Sequence, residues 1–229
     1  MRTVGIIGGL GPETTSEFHL KVISLCYKKD PTARPPMLMW SIPLEYQIEK
    51  DLITSATGEE RYLPYMIDAA KRLEQGGADF IVIPCNSVHI FINEVRASVH
   101  IPVLSIVDET VRLLESKGVK EVGLLATTTT VQKNLYQSQL QDKGITTHLL
   151  ARSNQELIGT VINRLVLGQE TEEDKAVLLS MIKDFTEKGI SNILLACTDL
   201  QLLVPQIDNA EILDTMEILA QATAKEIMS

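Results

Sequence analysis

At 229 residues the chain is long enough for one large domain or for two lobes of about 100 residues each. Hydrophobic residues make up 45% of it and charged residues 22%, which is typical of a soluble globular protein with a buried core. The 21 basic and 30 acidic residues give a formal net charge of -9, which repels phosphate backbones and anionic lipids. We therefore expect neither a nucleic-acid partner nor a membrane partner.

The first residues lead directly into an apolar strand pattern and lack the longer apolar core of a signal peptide. No apolar run approaches the roughly 20 residues that a transmembrane helix needs. The three cysteines cannot all pair with one another, and their spacings do not fit CxxC metal chemistry. These observations predict a cytoplasmic protein with free thiols and without a metal.

Strand patterns alternate with helical patterns along the whole chain. Apolar runs predict buried strands at 4–7, 37–40, 80–83, 122–125 and 193–196. Helical periodicity lies between them, over 62–73, 107–114, 131–140, 157–165 and 177–185. This alternation predicts an α/β fold with parallel sheets flanked by helices.

The two halves of the chain resemble each other. VGIIGG at 4–9 matches VGLLAT at 122–127, and GADFIVIPCNS at 77–87 matches GISNILLACTD at 189–199. Gly8 lies 77 positions before Cys85, and Ala126 lies 71 positions before Cys197, so both copies keep a similar spacing. The repeat predicts two pseudo-symmetric lobes that face each other.

Cys85 and Cys197 occupy equivalent positions at the ends of predicted strands, where parallel sheets bind ligands. Each precedes a predicted helix, whose N-terminus favours a thiolate. A single cysteine is more often an inert buried residue, but two at matched positions are harder to explain in that way. Short polar side chains suited to holding a carboxylate follow them: Asn86, Ser87 and Thr198. Cys26 has apolar neighbours and no counterpart, so we expect it in the core.

Two opposed thiols suit the racemisation of an amino acid. That reaction removes a weakly acidic α-proton from one face and delivers a proton to the other face, so it needs two groups on opposite sides of the substrate. A thiolate and a thiol can serve, because a cysteine pKa of about 8.5 can be lowered towards neutrality.

Three further features of the sequence bear on the function. His89, four positions after Cys85, fits either the tuning of that thiol or a structural role. The threonines at 127–130 include a candidate helix N-cap. The glycine-rich turn after the first strand does not fit GxGxxG, because Thr14 stands at the third glycine position when counting starts at Gly9. The turn therefore gives no reason to expect a dinucleotide cofactor.

Four motifs resemble those of the aspartate/glutamate racemases, a family of cofactor-independent two-cysteine amino-acid racemases. GGLGPETT at 8–15 resembles the family's GGMGPEAT, and PCNSVH at 84–89 is similar to PCNTAH. ACTDL at 196–200 is similar to GCTEL, and LAT at 125–127 with Thr130 resembles the LGT-x-x-T stretch of the second lobe. The motifs follow the family's order over nearly the whole chain.

The resemblance implies two α/β lobes with the active site in the cleft between them. It predicts a first lobe of residues 1–105, to which the segment 210–229 returns, and a second lobe of residues 106–209. It also implies a homodimer that needs neither pyridoxal phosphate nor a metal. Cys85 and Cys197 would be the catalytic pair. The residues expected to contact the substrate are Leu10, Asn86, Ser87, Thr127, Thr130 and Thr198.

The expected substrate is an acidic amino acid, aspartate or glutamate, although the chain departs from the family pattern. Asp199 replaces the usual Glu, and Ser87 replaces Thr. Aspartate-specific members carry an arginine after the second strand, whereas 37–52 contains no arginine. Arg164 is the candidate for the missing positive charge, with a surface position on its helix as the alternative.

Two other functions remain open at this stage. The chain could be another two-cysteine enzyme of the same fold, of the maleate isomerase or hydantoin racemase type, although GGLGPETT and PCNSVH favour an amino-acid racemase. It could also be an amino-acid-binding homologue without catalysis, although the presence of both thiols argues against that.

Overall fold

The computed structural model describes residues 1–54, 56–204 and 207–229. Within these ranges the strands form two parallel sheets. The strands are β1 (Val4–Gly8), β2 (Met37–Ser41), β3 (Phe80–Val82), β4 (Glu121–Ala126), β5 (Thr146–His148), β6 (Asn192–Ala196) and β7 (Glu211–Asp214). The first sheet has the order β2-β1-β3 and the second β5-β4-β6-β7.

Helices connect these strands and cover the sheets. They are α1 (Pro12–Lys29), α2 (Tyr46–Thr54), α3 (Leu63–Gln75), α4 (Ile92–Ala97), α5 (Ile106–Ser116), α6 (Thr128–Gln132), α7 (Gln137–Asp142), α8 (Arg152–Val166), α9 (Glu172–Thr186) and α10 (Thr215–Ile227). All five residues of β1 are buried, as expected for a parallel strand covered on both faces. The predicted α/β class with parallel sheets flanked by helices is confirmed.

The strand registers of the two sheets follow the sequence repeat. Gly5 pairs with Ile81 in the first sheet, and Gly123 pairs with Ile193 in the second. The same four residues are equivalent in the sequence repeat. The isolated bridge from Ile81 to Val103 also matches the place of β7 beside β6. The two halves therefore share one strand order, which brings their strand ends to equivalent positions.

A core shared by both sheets joins the halves. Buried residues of β1 and β3 belong to the same apolar cluster as residues of β4 and β6, and helices α1, α5 and α10 contribute to it. Helix α10 packs against α1 and α5, whereas β7 pairs with β6 in the second sheet. Cys26 is fully buried in this cluster, as predicted. The proposed division into 1–105 with 210–229 and 106–209 remains a prediction.

The predicted helix at 131–140 is interrupted. Helix α6 ends at Gln132 and α7 begins at Gln137, with Asn134 in the left-handed region at φ 52°. Asparagine tolerates this conformation better than most residues. The break lets Tyr136 enter the core, where it is fully buried and donates a hydrogen bond to Asn86. A tertiary contact thus overrides the helical pattern.

Candidate active site

Both repeat cysteines line one pocket at the carboxyl ends of the central strands. Cys197 directly follows β6, and Cys85 lies three residues after β3. Short 3-10 helices, Ser87–Phe91 and Leu200–Leu202, follow them in place of the predicted α-helices. The described residues of the pocket wall are Leu10, Glu49, Leu52, Ile53, Tyr62, Cys85, Asn86, Ser87, Thr127, Ile162, Val166, Cys197, Thr198 and Asp199. The structure therefore brings together two thiols, short polar groups and an apolar wall.

The wall contains most of the residues that the sequence selected. The selected residues that line the pocket are Leu10, Cys85, Asn86, Ser87, Thr127, Cys197 and Thr198. Thr130 is fully buried beside this wall, and its hydroxyl lies 3.0 Å from that of Thr127. Thr130 therefore orients Thr127 from behind and is not itself among the described residues of the wall.

The electrostatic surroundings of the thiols differ from the sequence expectation. Burial and then the charge of Asp199 raise the pKa of Cys85 to about 12, although the backbone N–H groups of Val88 and Ser87 act in the opposite direction. Burial and then Asp199 also raise the pKa of Cys197 well above its usual value. The expected stabilisation of a thiolate by the N-terminus of a following helix is therefore outweighed by burial and by the charge of Asp199.

Asp199 is held beside Cys197 by contacts from both halves. The Cys197 thiol donates to Oδ2 across 3.6 Å, and the Thr14 hydroxyl donates to Oδ1. A Cβ at Gly11 would lie 3.2 Å from Oδ1, so glycine there allows the backbone of the first half to approach this carboxylate. Burial raises the pKa of Asp199, while the bond from Thr14 lowers it.

Hydroxyl groups form a cluster where the two halves meet. The Ser87 hydroxyl lies 2.8 Å from that of Thr127 and 3.4 Å from that of Thr130. Thr127 also caps α6 by accepting from the N–H of Thr130, as the threonine run predicts. Thr198 donates to the carbonyl of Pro84 across 3.4 Å. The cluster therefore brings hydroxyl groups from both halves of the chain together at the pocket.

The amide of Asn86 is oriented by buried groups behind the pocket. Tyr136 donates to its Oδ1, and its Nδ2 donates to the Thr215 hydroxyl across 3.0 Å. Thr215 in turn donates to the carbonyl of Leu195 in β6. Within the described parts of the chain, these bonds leave one amide N–H of Asn86 without a partner.

His89 has a structural position. Its Nδ1 donates to the Cys85 carbonyl across 2.8 Å, while its Nε2 accepts from the N–H of Ile106 at 3.1 Å. Burial lowers the pKa of His89 to about 4, so the ring is neutral. Both ring nitrogens bind backbone groups, so His89 fixes the segment that carries Cys85 and does not contact the thiol through a nitrogen.

Arg164 does not line the pocket, which corrects its selection as a substrate-binding charge. Its guanidinium forms hydrogen bonds with both carboxylate oxygens of Asp174. Asp174 is fully buried and also caps the start of α9 through a reciprocal contact with Thr171. Ile162 and Val166, two positions away on either side, face the pocket. Arg164 therefore lies on another face of α8, where it joins α8 to α9.

Sequence reasoning missed Glu49 as a residue of the wall. Glu49 lies on α2 together with the buried Ile48, Leu52 and Ile53. A charged residue three and four positions before two buried apolar residues lies on the inward face of an amphipathic helix, and this pattern could have revealed it. Burial and the nearby carboxylates of Asp199 and Glu13 raise the pKa of Glu49 to about 7.

The described residues contain no group of three or more His, Cys, Asp or Glu side chains placed to hold a metal ion. No helix among them is long and apolar enough to cross a membrane.

The chain belongs to the Asp/Glu/Hydantoin racemase family, whose model matches residues 7–223. It is 27% identical to the broad specificity amino-acid racemase RacX of Bacillus subtilis (strain 168), over 99% of this chain and 98% of that protein. It resembles the structure of an aspartate racemase homologue from Pyrococcus horikoshii OT3, with 28% identity, a TM-score of 0.81 and complete coverage of both chains. The aspartate racemase of Picrophilus torridus is similar at 25% identity, with a TM-score of 0.84 over 100% of this chain and 95% of that one.

Proposed function

We propose that the protein is an amino-acid racemase that interconverts L- and D-enantiomers with Cys85 and Cys197 as its two acid–base groups. The observation that carries this proposal is that both thiols, from equivalent strand ends of the repeat, line one pocket. Membership of the racemase family supports it. The pocket also holds the hydrogen-bond donors that an amino acid's carboxylate requires.

The reaction needs one thiolate and one thiol at a time. The thiolate takes the proton from Cα on one face, and the electron pair of the broken C–H bond is delocalised into the substrate carboxylate. The opposite thiol then gives its proton to the other face of Cα and becomes the thiolate. The two sulfurs thereby exchange protonation states, and no net proton is gained or lost.

Different polar groups of the wall bind the carboxylate and the ammonium of the substrate. In this proposal Ser87, Thr127 and Thr198, with the second N–H of the Asn86 amide, bind the substrate carboxylate, which their positions in the pocket wall support. Asp199, in the same wall, accepts the substrate ammonium. Because Asp199 raises the pKa of both thiols, neutralising its charge with an ammonium favours thiolate formation when the substrate is bound.

This mechanism uses only side chains of the chain, so we propose that it is independent of pyridoxal phosphate and of metal. A homodimer and a cytoplasmic location likewise remain predictions from the sequence. The preference for acidic substrates also remains a prediction from the sequence. The negatively charged groups of the pocket argue against this preference. Glu49 and Asp199 lie in the described wall, which contains no Lys or Arg.

The decisive experiment is to incubate the protein with single amino acids in D₂O and to measure deuterium at Cα by mass spectrometry. A racemase incorporates deuterium and also forms the other enantiomer, which chiral chromatography detects. A binding protein without catalysis gives neither signal with any amino acid, and that result would refute the proposal. Hydantoins and maleate in the same panel test the other two-cysteine reactions.

A further inference from the structure

We infer that Glu49 contacts the substrate side chain and determines the specificity of the enzyme. The preferred substrates are then amino acids whose side chain ends in a cationic group, an ammonium or a guanidinium. This inference rests on the proposed racemase function and names its substrate class. It starts from the position of one carboxylate in the wall of the pocket.

Glu49 is a partly buried carboxylate without a compensating charge. No hydrogen bond or ion pair joins its side chain to another residue in the described parts of the chain, whereas Asp51 on the same helix is paired with Arg61. The charged neighbours that affect Glu49 are Asp199 and Glu13, which are also negative. The charged form of a buried carboxyl of this kind is unfavourable unless a cation is brought to it, and without one the group tends to take up a proton.

The position of α2 is fixed by contacts with the second half. The Thr129 hydroxyl donates to the carbonyl of Leu52, and the Tyr46 hydroxyl donates to Asn163 on α8 across 3.1 Å. Helix α2 also packs against α6 and α8. Glu49 is therefore presented to the pocket by a helix that bridges both halves.

The wall also contains apolar residues. The polar groups come from the segments that follow the strands, whereas α2, which carries Glu49, and α8 contribute apolar side chains. These apolar residues are Leu52, Ile53, Ile162 and Val166. A side chain with an aliphatic stem and a cationic end satisfies both features, because its methylene groups cover the apolar surface while its charge meets the carboxylate.

An acidic side chain fits this pocket poorly. It would bring a further carboxylate beside the carboxyl groups of Glu49 and Asp199, and the described wall provides no cation to balance it. The assignment of the α-ammonium to Asp199 leaves Glu49 for the side chain. If Glu49 binds the side chain, neutralising it weakens activity on cationic substrates alone. If Glu49 binds the α-ammonium instead, neutralising it weakens activity on all substrates equally.

The test compares wild type with Glu49→Gln on lysine, ornithine, arginine, norleucine, glutamine and glutamate. We expect the highest kcat/KM on the cationic substrates. Glu49→Gln should lower kcat/KM for lysine by about 10-fold to 100-fold, as expected for the loss of a charge-assisted contact, and change that for norleucine by less than about 3-fold. Glu45→Gln is the matched control, because it removes the same charge from an exposed position just before α2.

Three results would overturn the inference. They are a wild-type preference for glutamate, a wild-type preference for norleucine, and an equal loss on all substrates in Glu49→Gln, which would assign Glu49 to the α-ammonium. In each case the racemase itself stands. If no amino acid exchanges its α-proton, the proposed function fails. Calorimetric binding of lysine, norleucine and glutamate to wild type and Glu49→Gln then still decides which side chain the pocket accepts.

Discussion

The thiol of Cys197 donates a hydrogen bond to the carboxylate of Asp199, whose other oxygen accepts from Thr14 of the first half of the chain. Thr14 and Asp199 are 185 positions apart in the sequence. The carboxylate is therefore fixed beside the thiol only when both halves are assembled. Its charge in turn contributes to the raised pKa of both Cys85 and Cys197.

We predict that Cys85→Ala and Cys197→Ala each lower racemisation by at least about 1,000-fold, because one remaining thiol cannot serve both faces of Cα. Circular dichroism should show that both variants fold. Cys26→Ala is the control, since Cys26 lies in the core away from the pocket, and it should retain turnover with a modest loss of stability. Near-normal turnover in either active-site variant would exclude the two-thiol mechanism.

Neutralising Asp199 should make both thiols more acidic. In Asp199→Asn the negative charge that raises their pKa is lost, so alkylation by iodoacetamide should begin at lower pH than in wild type. The rates at Cys85 and Cys197 can be followed by peptide mass spectrometry. The matched control is Asp184→Asn, a change on α9 away from the pocket wall. An unchanged pH profile in Asp199→Asn would show that Asp199 does not control the thiols.

Activity should survive dialysis against EDTA and treatment with hydroxylamine, which removes pyridoxal phosphate. It should be lost on alkylation with iodoacetamide, faster at high pH because the free thiols are protonated near neutrality. Bound substrate should protect against alkylation by occupying the pocket. Loss of activity with EDTA that returns on adding a metal would contradict cofactor independence.

The raised pKa of Glu49 predicts a pH-dependent effect on stability. The carboxyl titrates at about 7 in the folded protein and near 4.3 when unfolded, so folding favours its protonated form. The charged carboxylate of Glu49 lowers the free energy of unfolding. This destabilisation is absent at low pH and appears as the pH rises from about 4 through 7. Glu49→Gln should therefore raise the free energy of unfolding at pH 8 by on the order of 1 kcal/mol, with little effect at pH 4. Urea unfolding at both pH values checks this, and an equal effect at both would contradict it.

Arg164→Ala should reduce stability without changing substrate preference. It leaves the buried carboxylate of Asp174 without its cation, which we expect to cost about 1–3 kcal/mol because the guanidinium itself is partly exposed. Arg152→Ala, which breaks an exposed pair with Glu156, should cost less than about 0.5 kcal/mol. Urea unfolding measures both. A selective rise in KM for acidic substrates in Arg164→Ala would restore Arg164 as a substrate-binding residue.

The sequence alone determined the α/β class and the positions of the central strands. Buried parallel strands read as continuous apolar runs, so β1 and β4 are visible without a structure. The three-residue β5 and the short β7, with acidic residues at both ends, do not form such runs and were missed. The repeat also selected Cys85 and Cys197 as the candidate pair, because equivalent strands end at equivalent positions, and both cysteines line the pocket.

Only the tertiary structure determines which charged residues line the pocket and how they shift the pKa values of the thiols. Helical periodicity could not show that Arg164 turns to Asp174 while its neighbours Ile162 and Val166 face the pocket, because that depends on where α9 packs. It also could not show that burial and Asp199 outweigh the N–H donors beside the thiols. A pKa depends on desolvation and on charges distant in sequence, and these exist only once the two halves close around the pocket.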